Sequence, residues 1–126
     1  MASSASAQEL LLFGGRNHDV FLGCLNCSEY DSDSICNEYG MGSRYESNGI
    51  FNRYSSFGSR YSNSSPWNRY STSDSVPVLV DRGGNFFGYF TINRHRHDAF
   101  NQSGDLYELF EATEGDLLIL RNFICG

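Results

Sequence analysis

The sequence predicts a small α+β domain: a short antiparallel sheet of two hairpins, an irregular tyrosine-rich repeat packed over it, and one or two short C-terminal helices. Three observations lead there. Apolar runs flank Gly-Gly turns around residues 10–25 and 76–93, the pattern of hairpins. Residues 26–75 are nearly devoid of aliphatic side chains and repeat themselves with a period of about fifteen to sixteen. Helical spacing of apolar residues follows only after residue 103. A chain of 126 residues suits one domain with a modest core, taken here as residues 10–126.

In chain order, residues 1–9 are small and polar and end the pattern Ala5-Ser6-Ala7, which resembles a cleavage site without an apolar core before it. They read as the remnant left after signal removal or as a disordered leader. Residues 10–13 and 20–25 read as two strands around Gly14-Gly15. Residues 76–80 and 86–93 form the clearest hairpin, with Gly83-Gly84 in the turn and Gly88 marking a bulge or a close backbone approach. Residues 94–101 are polar and loop-like. Ser103-Gly104-Asp105 opens a helix through about Ala112, with Leu106, Leu109 and Phe110 on one face. After Gly115, residues 116–123 make a second short helix or a closing strand.

The repeat occupies residues 29–70. Each unit opens on a tyrosine (Tyr30, Tyr45, Tyr61), places a bulky or sulfur residue six positions later (Cys36, Phe51, Trp67), and closes on Asn-x-Tyr (Tyr39, Tyr54, Tyr70). The Ser, Asn or Gly before each anchor suggests an N-cap that opens a single helical turn, with Pro66 at a first helical position. Gly40, Gly42 and Gly58 then let the chain reverse. The expectation is three short turns wrapped over the domain, each inserting one anchor.

Charge is unevenly spread. The net charge is −6, yet residues 43–70 carry Arg44, Arg53, Arg60 and Arg69 against Glu46 alone, and every basic residue of the chain is Arg. Arginine supplies planar, stackable, bidentate donors. An acidic chain is unsuited to duplex nucleic acid, whose non-specific affinity comes from neutralised phosphates. Its longest apolar runs are four residues, far short of a membrane span.

Two functional readings fit the Tyr/Arg/Asn surface. Exposed aromatics stack on sugars or bases with arginine adding cation–π contacts, and the same composition makes adaptable protein-binding surfaces. The residues expected to carry either are Tyr45, Arg53, Tyr54, Arg60, Tyr61, Trp67, Arg69 and Tyr70. The competing structural reading packs these tyrosines across the domain, hydroxyls on loop carbonyls, in place of the missing aliphatic core. Self-association through so repetitive a segment stays open.

Other chemistry is sparser. Four cysteines, Cys24, Cys27, Cys36 and Cys125, are an even number suited to two disulfides in an exported domain. Cys24-x-x-Cys27 also invites zinc, but the other two ligands stand alone and far apart. Of the three connectivities, Cys27 with Cys36 and Cys24 with Cys125 is preferred, since it ties the repeat locally and fastens the C-terminus. His95, His97 and Asp98 form the most reactive-looking stretch, with the histidines alternating on a strand face and Asp98 able to orient an imidazole; His18 could join them. Glu29, Asp31 and Asp33 begin like a calcium loop, but Ile35 and Cys36 break the pattern. No Gly-x-Ser-x-Gly, His-Glu-x-x-His or phosphate loop is present, and no cofactor or metal is expected.

Residues 20–27, 32–40, 42–45, 65–70 and 84–93 together resemble a group of uncharacterised bacterial proteins and C-terminal domains. These share the tyrosine repeat (Ser32-Asp-Ser-Ile-Cys-Asn-Glu-Tyr-Gly40, Ser65-Pro-Trp-Asn-Arg-Tyr70) followed by a Gly84-Asn-Phe-Phe-Gly-Tyr-Phe90 hairpin. The likeness covers roughly residues 16–126, and Phe51 stands where the group commonly has Trp. It implies a bacterial origin and export to the periplasm, cell surface or medium, and brings no activity with it. The expected function is therefore a non-enzymatic extracytoplasmic module that offers its Tyr/Arg/Trp face to a surface ligand or partner protein. The alternative is a small hydrolase or metalloprotein built on His95, His97 and Asp98.

Overall fold

The structure is a computed structural model and describes residues 9–125. The expected leader thus lies, Glu9 apart, outside the described residues. Four strands, β1 (Leu10–Gly14), β2 (Val20–Cys24), β3 (Val78–Asp81) and β4 (Phe86–Tyr89), form an antiparallel sheet in the order β2-β1-β3-β4. Two short helices, α1 (Ser103–Ala112) and α2 (Leu117–Cys125), follow. The class is α+β, as the sequence predicts.

Both hairpins form, and β1 joins them by pairing with β3 from Leu10 opposite Asp81 to Phe13 opposite Val78. Alternation then sorts the side chains. Leu12, Leu22 and Leu79 enter the main core, while Phe13, Val78, Val80 and Tyr89 make a smaller cluster with Val76. The second hairpin is shorter than expected for a local reason. Phe90 N–H still donates to the Pro77 carbonyl at 2.8 Å, but Pro77 has no N–H to return, so the ladder ends at Val78 opposite Tyr89. The chain then leaves the sheet, and Ile92 N–H bonds the Pro66 carbonyl in the repeat. Gly88 is the expected close approach: its φ is +113°, and a Cβ there would press on the Phe100 backbone at 2.7 Å.

The connection from β2 to β3 contains the repeat, and its anchors complete the core. Trp67 is 1% exposed and lies stacked on Phe110 of α1, ring centroids 5.9 Å apart, and on Phe51 at 6.1 Å. Phe90 meets the indole edge-on at 6.0 Å. The indole N–H donates to the Ile50 carbonyl at 2.5 Å, which ties one repeat unit to the next. The anchoring runs deeper than expected. Ile35, Ile50 and Pro66, each just before an anchor, are buried as well, and Phe57 joins them.

Two disulfides close the chain, but not in the expected pairing. Cys24 bonds Cys27 and Cys36 bonds Cys125. Cys24 and Ser34 form an isolated bridge, with Ile35 N–H on the Cys24 carbonyl. That register seats Ile35 in the core and leaves Cys36 half-buried at the end of α2. Cys24 meanwhile faces the residue three positions on, Cα to Cα 5.6 Å, inside the range a disulfide needs. Among the described residues, no helix is long and apolar enough to cross a membrane.

Candidate functional site

The repeat is built from three-residue steps. From Ser28 to Ser71 the carbonyl of every third residue accepts the N–H three residues on, at 2.9–3.4 Å, with one residue inserted at Gly58. These are consecutive β-turns, not the single helical turns the capping residues suggested. Five such steps make a fifteen-residue unit. Residues 28–42 read Ser-Glu-Tyr, Asp-Ser-Asp, Ser-Ile-Cys, Asn-Glu-Tyr, Gly-Met-Gly. Residues 43–57 read Ser-Arg-Tyr, Glu-Ser-Asn, Gly-Ile-Phe, Asn-Arg-Tyr, Ser-Ser-Phe. Residues 59–73 read Ser-Arg-Tyr, Ser-Asn-Ser, Ser-Pro-Trp, Asn-Arg-Tyr, Ser-Thr-Ser.

The first residue of a step explains why the chain turns there. Short oxygen-bearing side chains bond the backbone two residues on and stabilise a turn at the expense of helix or sheet. Each repeat tyrosine receives that bond. Its N–H donates to Ser28, Asn37, Ser43, Asn52, Ser59 or Asn68, two residues earlier, at 2.8–3.2 Å. The fourth-step asparagines do more. Asn52 and Asn68 also donate through Nδ2 to the Glu46 and Ser62 carbonyls six residues back, which curls the steps into a closed unit.

Within each unit the third step points inward and the first and fourth point outward. Tyr30, Tyr39, Tyr45, Tyr54, Tyr61 and Tyr70 are 76–92% exposed, so they do not replace the aliphatic core. Arg44, Arg53, Arg60 and Arg69 each place the guanidinium 5.0–5.9 Å from the ring centre of the tyrosine that follows. Arg53 also donates to the Tyr54 hydroxyl at 2.8 Å. The Tyr70 hydroxyl holds the Arg69 guanidinium even more firmly protonated than usual.

Two grooves result, each with an anchor in its floor. The larger, about 1070 Å³, is walled by Arg44/Tyr45, Arg53/Tyr54 and Arg60/Tyr61 over Phe51 and Phe110. Its far side is the turn between α1 and α2, where Glu114 and Gly115 both have positive φ. The smaller, about 610 Å³, has Glu29/Tyr30 and Glu38/Tyr39 over the Cys36–Cys125 disulfide, with Arg121 opposite. The geometry repeats while the charge inverts.

Of the residues expected to bind, Tyr45, Arg53, Tyr54, Arg60 and Tyr61 thus share the larger groove. Arg69 and Tyr70 stand outside it, with Arg69 paired to Glu111 of α1 at 3.2 Å. Trp67 requires correction: it is a core residue and presents no face to a ligand. Arg44, Glu29, Glu38 and the wall from α1 and α2 were not foreseen. A usable signal was there, since a Ser or Asn stands two residues before every repeat tyrosine.

The histidine stretch does not assemble. His95 and His97 are exposed in turns beyond β4 and do not share a strand face. Asp98 is committed to Arg96, Oδ1 to Nε 2.6 Å, and orients no imidazole. The Arg96 side chain is only 7% exposed, its guanidinium 3.6 Å from the Tyr89 ring centre and bonded to the Ser73 carbonyl, so this stretch fastens the loop to the sheet. His18 bonds the Asp74 carbonyl instead of joining the other two. Asp31 accepts the Asp33 N–H as a turn residue, and among the described residues no group of three or more His, Cys, Asp or Glu is placed to hold a metal. No protein-family model, curated protein or solved structure matches the chain significantly.

Proposed function

We propose that this chain is a non-enzymatic extracytoplasmic binding module that presents its tyrosine and arginine ridges to a ligand or partner at a bacterial cell surface. One observation carries the reading. Six tyrosines are held out in water, each by a backbone bond from its own turn, at positions where burial would have been the favourable use of an aromatic ring. A rigid, exposed aromatic offers large contact area at little entropic cost on binding. Two disulfides support an oxidising compartment, and the resemblance of the repeat to bacterial proteins supports the cell surface as the setting.

The test is a pull-down of purified bacterial envelopes with the wild type and with Tyr45, Tyr54 and Tyr61 all changed to Ala. Envelope binding should be lost while the melting temperature holds, because none of the three rings supports the core. Binding that survives the triple change would sink the reading.

A further inference from the structure

We propose that the larger groove binds an anionic glycan, a chain of sugars bearing carboxylate or phosphate groups, and that the residue before each tyrosine decides which groove does so. The proposal rests on the binding reading above and names its ligand.

Three arginines converge on this groove from separate turns: Arg44, Arg53 and Arg60. Each stays exposed, and each is steered by its own tyrosine ring, so the planar donors are partly ordered before a ligand arrives. A fork of this kind matches carboxylate or phosphate, and its bonds to an anion are stronger than neutral ones. Two acids also line the groove. Asp116 is engaged at the start of α2, where its Oδ1 accepts the Leu118 and Ile119 N–H groups at 3.0 and 3.2 Å. With Glu114 it sets two acids against the three arginines, so the groove keeps a net positive charge within an acidic chain.

The tyrosines suit a sugar. Each ring is 76–85% exposed beside its arginine, so an aromatic face and a hydroxyl are open to the C–H face and hydroxyls of a pyranose.

The smaller groove is the internal control. Its tyrosines leave the same turns, but Glu29 and Glu38 stand where the larger groove has Arg44 and Arg53. The smaller groove thus differs in size, about 610 against 1070 Å³, and in charge, with Glu38 paired to Arg121 at 3.2 Å. Glu29→Arg with Glu38→Arg would write a second site into the same chain.

Calorimetric titration tests this with oligogalacturonate and a phosphomannan oligomer as the anionic probes, and neutral oligogalactose and oligo(dT) as the controls. One or both anionic glycans should bind at one per chain, weaken with added salt, and outbind both controls. The arm that binds identifies carboxylate or phosphate as the source of charge. Arg53→Gln with Arg60→Gln should weaken binding roughly ten- to a hundredfold, the worth of one or two lost charge-assisted bonds. Circular dichroism melts would show that both variants remain folded, and Arg53→Gln alone, on an exposed side chain, repeats the test without the Arg60 contact to Phe110. The Glu29→Arg, Glu38→Arg protein should take up a second equivalent. Flat titrations with both anionic glycans, equal binding of the neutral sugar, tighter binding of oligo(dT), or unchanged stoichiometry in the double-Arg protein would each overturn the proposal. If the glycans fail while envelope binding still depends on the tyrosines, only the ligand is wrong; if both fail, the binding reading falls too.

Discussion

Tyr54 and Trp67 occupy steps of the same ribbon and have opposite fates. Trp67 fills the space between Phe51, Phe90 and Phe110, and Trp67→Ala should cost about 3–5 kcal/mol in urea unfolding, as for other buried aromatics. Tyr54 is 82% exposed, and Tyr54→Ala should leave stability within about 0.5 kcal/mol. If Tyr54→Ala destabilised the fold as much as Trp67→Ala, the exposed placement of the ridges would be wrong. Tyr89 shows the reverse of the ridge tyrosines. Burial raises its phenol above the ordinary tyrosine range, with the Arg96 guanidinium pulling the other way. The folded state therefore holds that proton more tightly than the unfolded chain. Its contribution to stability is complete below about pH 10 and is lost as the pH climbs through the raised value. Melts taken from pH 8 upward should show this alkaline loss, and Tyr89→Phe should flatten it; an unchanged slope would assign the loss elsewhere.

At the scale of one element, the turn ribbon depends on side chains that make more than one bond at once. Asn52 accepts the Tyr54 N–H through Oδ1, donates through Nδ2 to Glu46, and its carbonyl accepts the Ser55 N–H. Asn52→Asp keeps the first and third bonds and removes the donor, whereas Asn52→Ala loses both side-chain bonds. The expected order of stability is wild type, then Asp, then Ala, with a loss of about 1–3 kcal/mol for Ala from the bonds left unmade. Equal loss in the two variants would place all the worth of Asn52 in the Nδ2 bond. The ribbon also shows why the sequence was only partly readable here. A period of about fifteen to sixteen residues was plain, but the same Ser and Asn residues serve as helix caps and as turn formers. Local chemistry does not choose between them. What decides is that each turn is followed immediately by another, so no run of backbone is left free to become a helix. The strands and α1 were legible because hydrophobic period and Gly-Gly turns specify them locally; the end of β4 moved because Pro77, just before the partner strand, has no N–H to continue the ladder.

Across the whole molecule, the ribbon and helices hold each other in place through few but long-range ties. The Cys36–Cys125 bridge spans 89 residues and pins α2 against the first repeat unit, where Arg121 also reaches the Gly42 carbonyl at 2.9 Å. In the chain-entropy model, closing so long a loop stabilises by about 4–5 kcal/mol, against about 2 kcal/mol for the tight loop of Cys24–Cys27. Replacing Cys36 and Cys125 by Ala should therefore lower the unfolding midpoint in denaturant far more than replacing Cys24 and Cys27. The opposite order would mean the short bridge bears the greater constraint. The candidate site exists only at this scale too. Its ridges come from two repeat units and its far wall from α1 and α2, which no reading of the repeat alone could bring together.

The sequence by itself determined the strands, the first helix, the repeat and the residue before each tyrosine, because periodicity, turn residues and charge act over a few neighbours; it left the second helix open against a closing strand. Only the tertiary structure decided which aromatics face water, which cysteines meet and which arginines share a groove. Those outcomes depend on the register of distant segments, where burying Ile35, Ile50 and Trp67 outweighs what any local preference can specify.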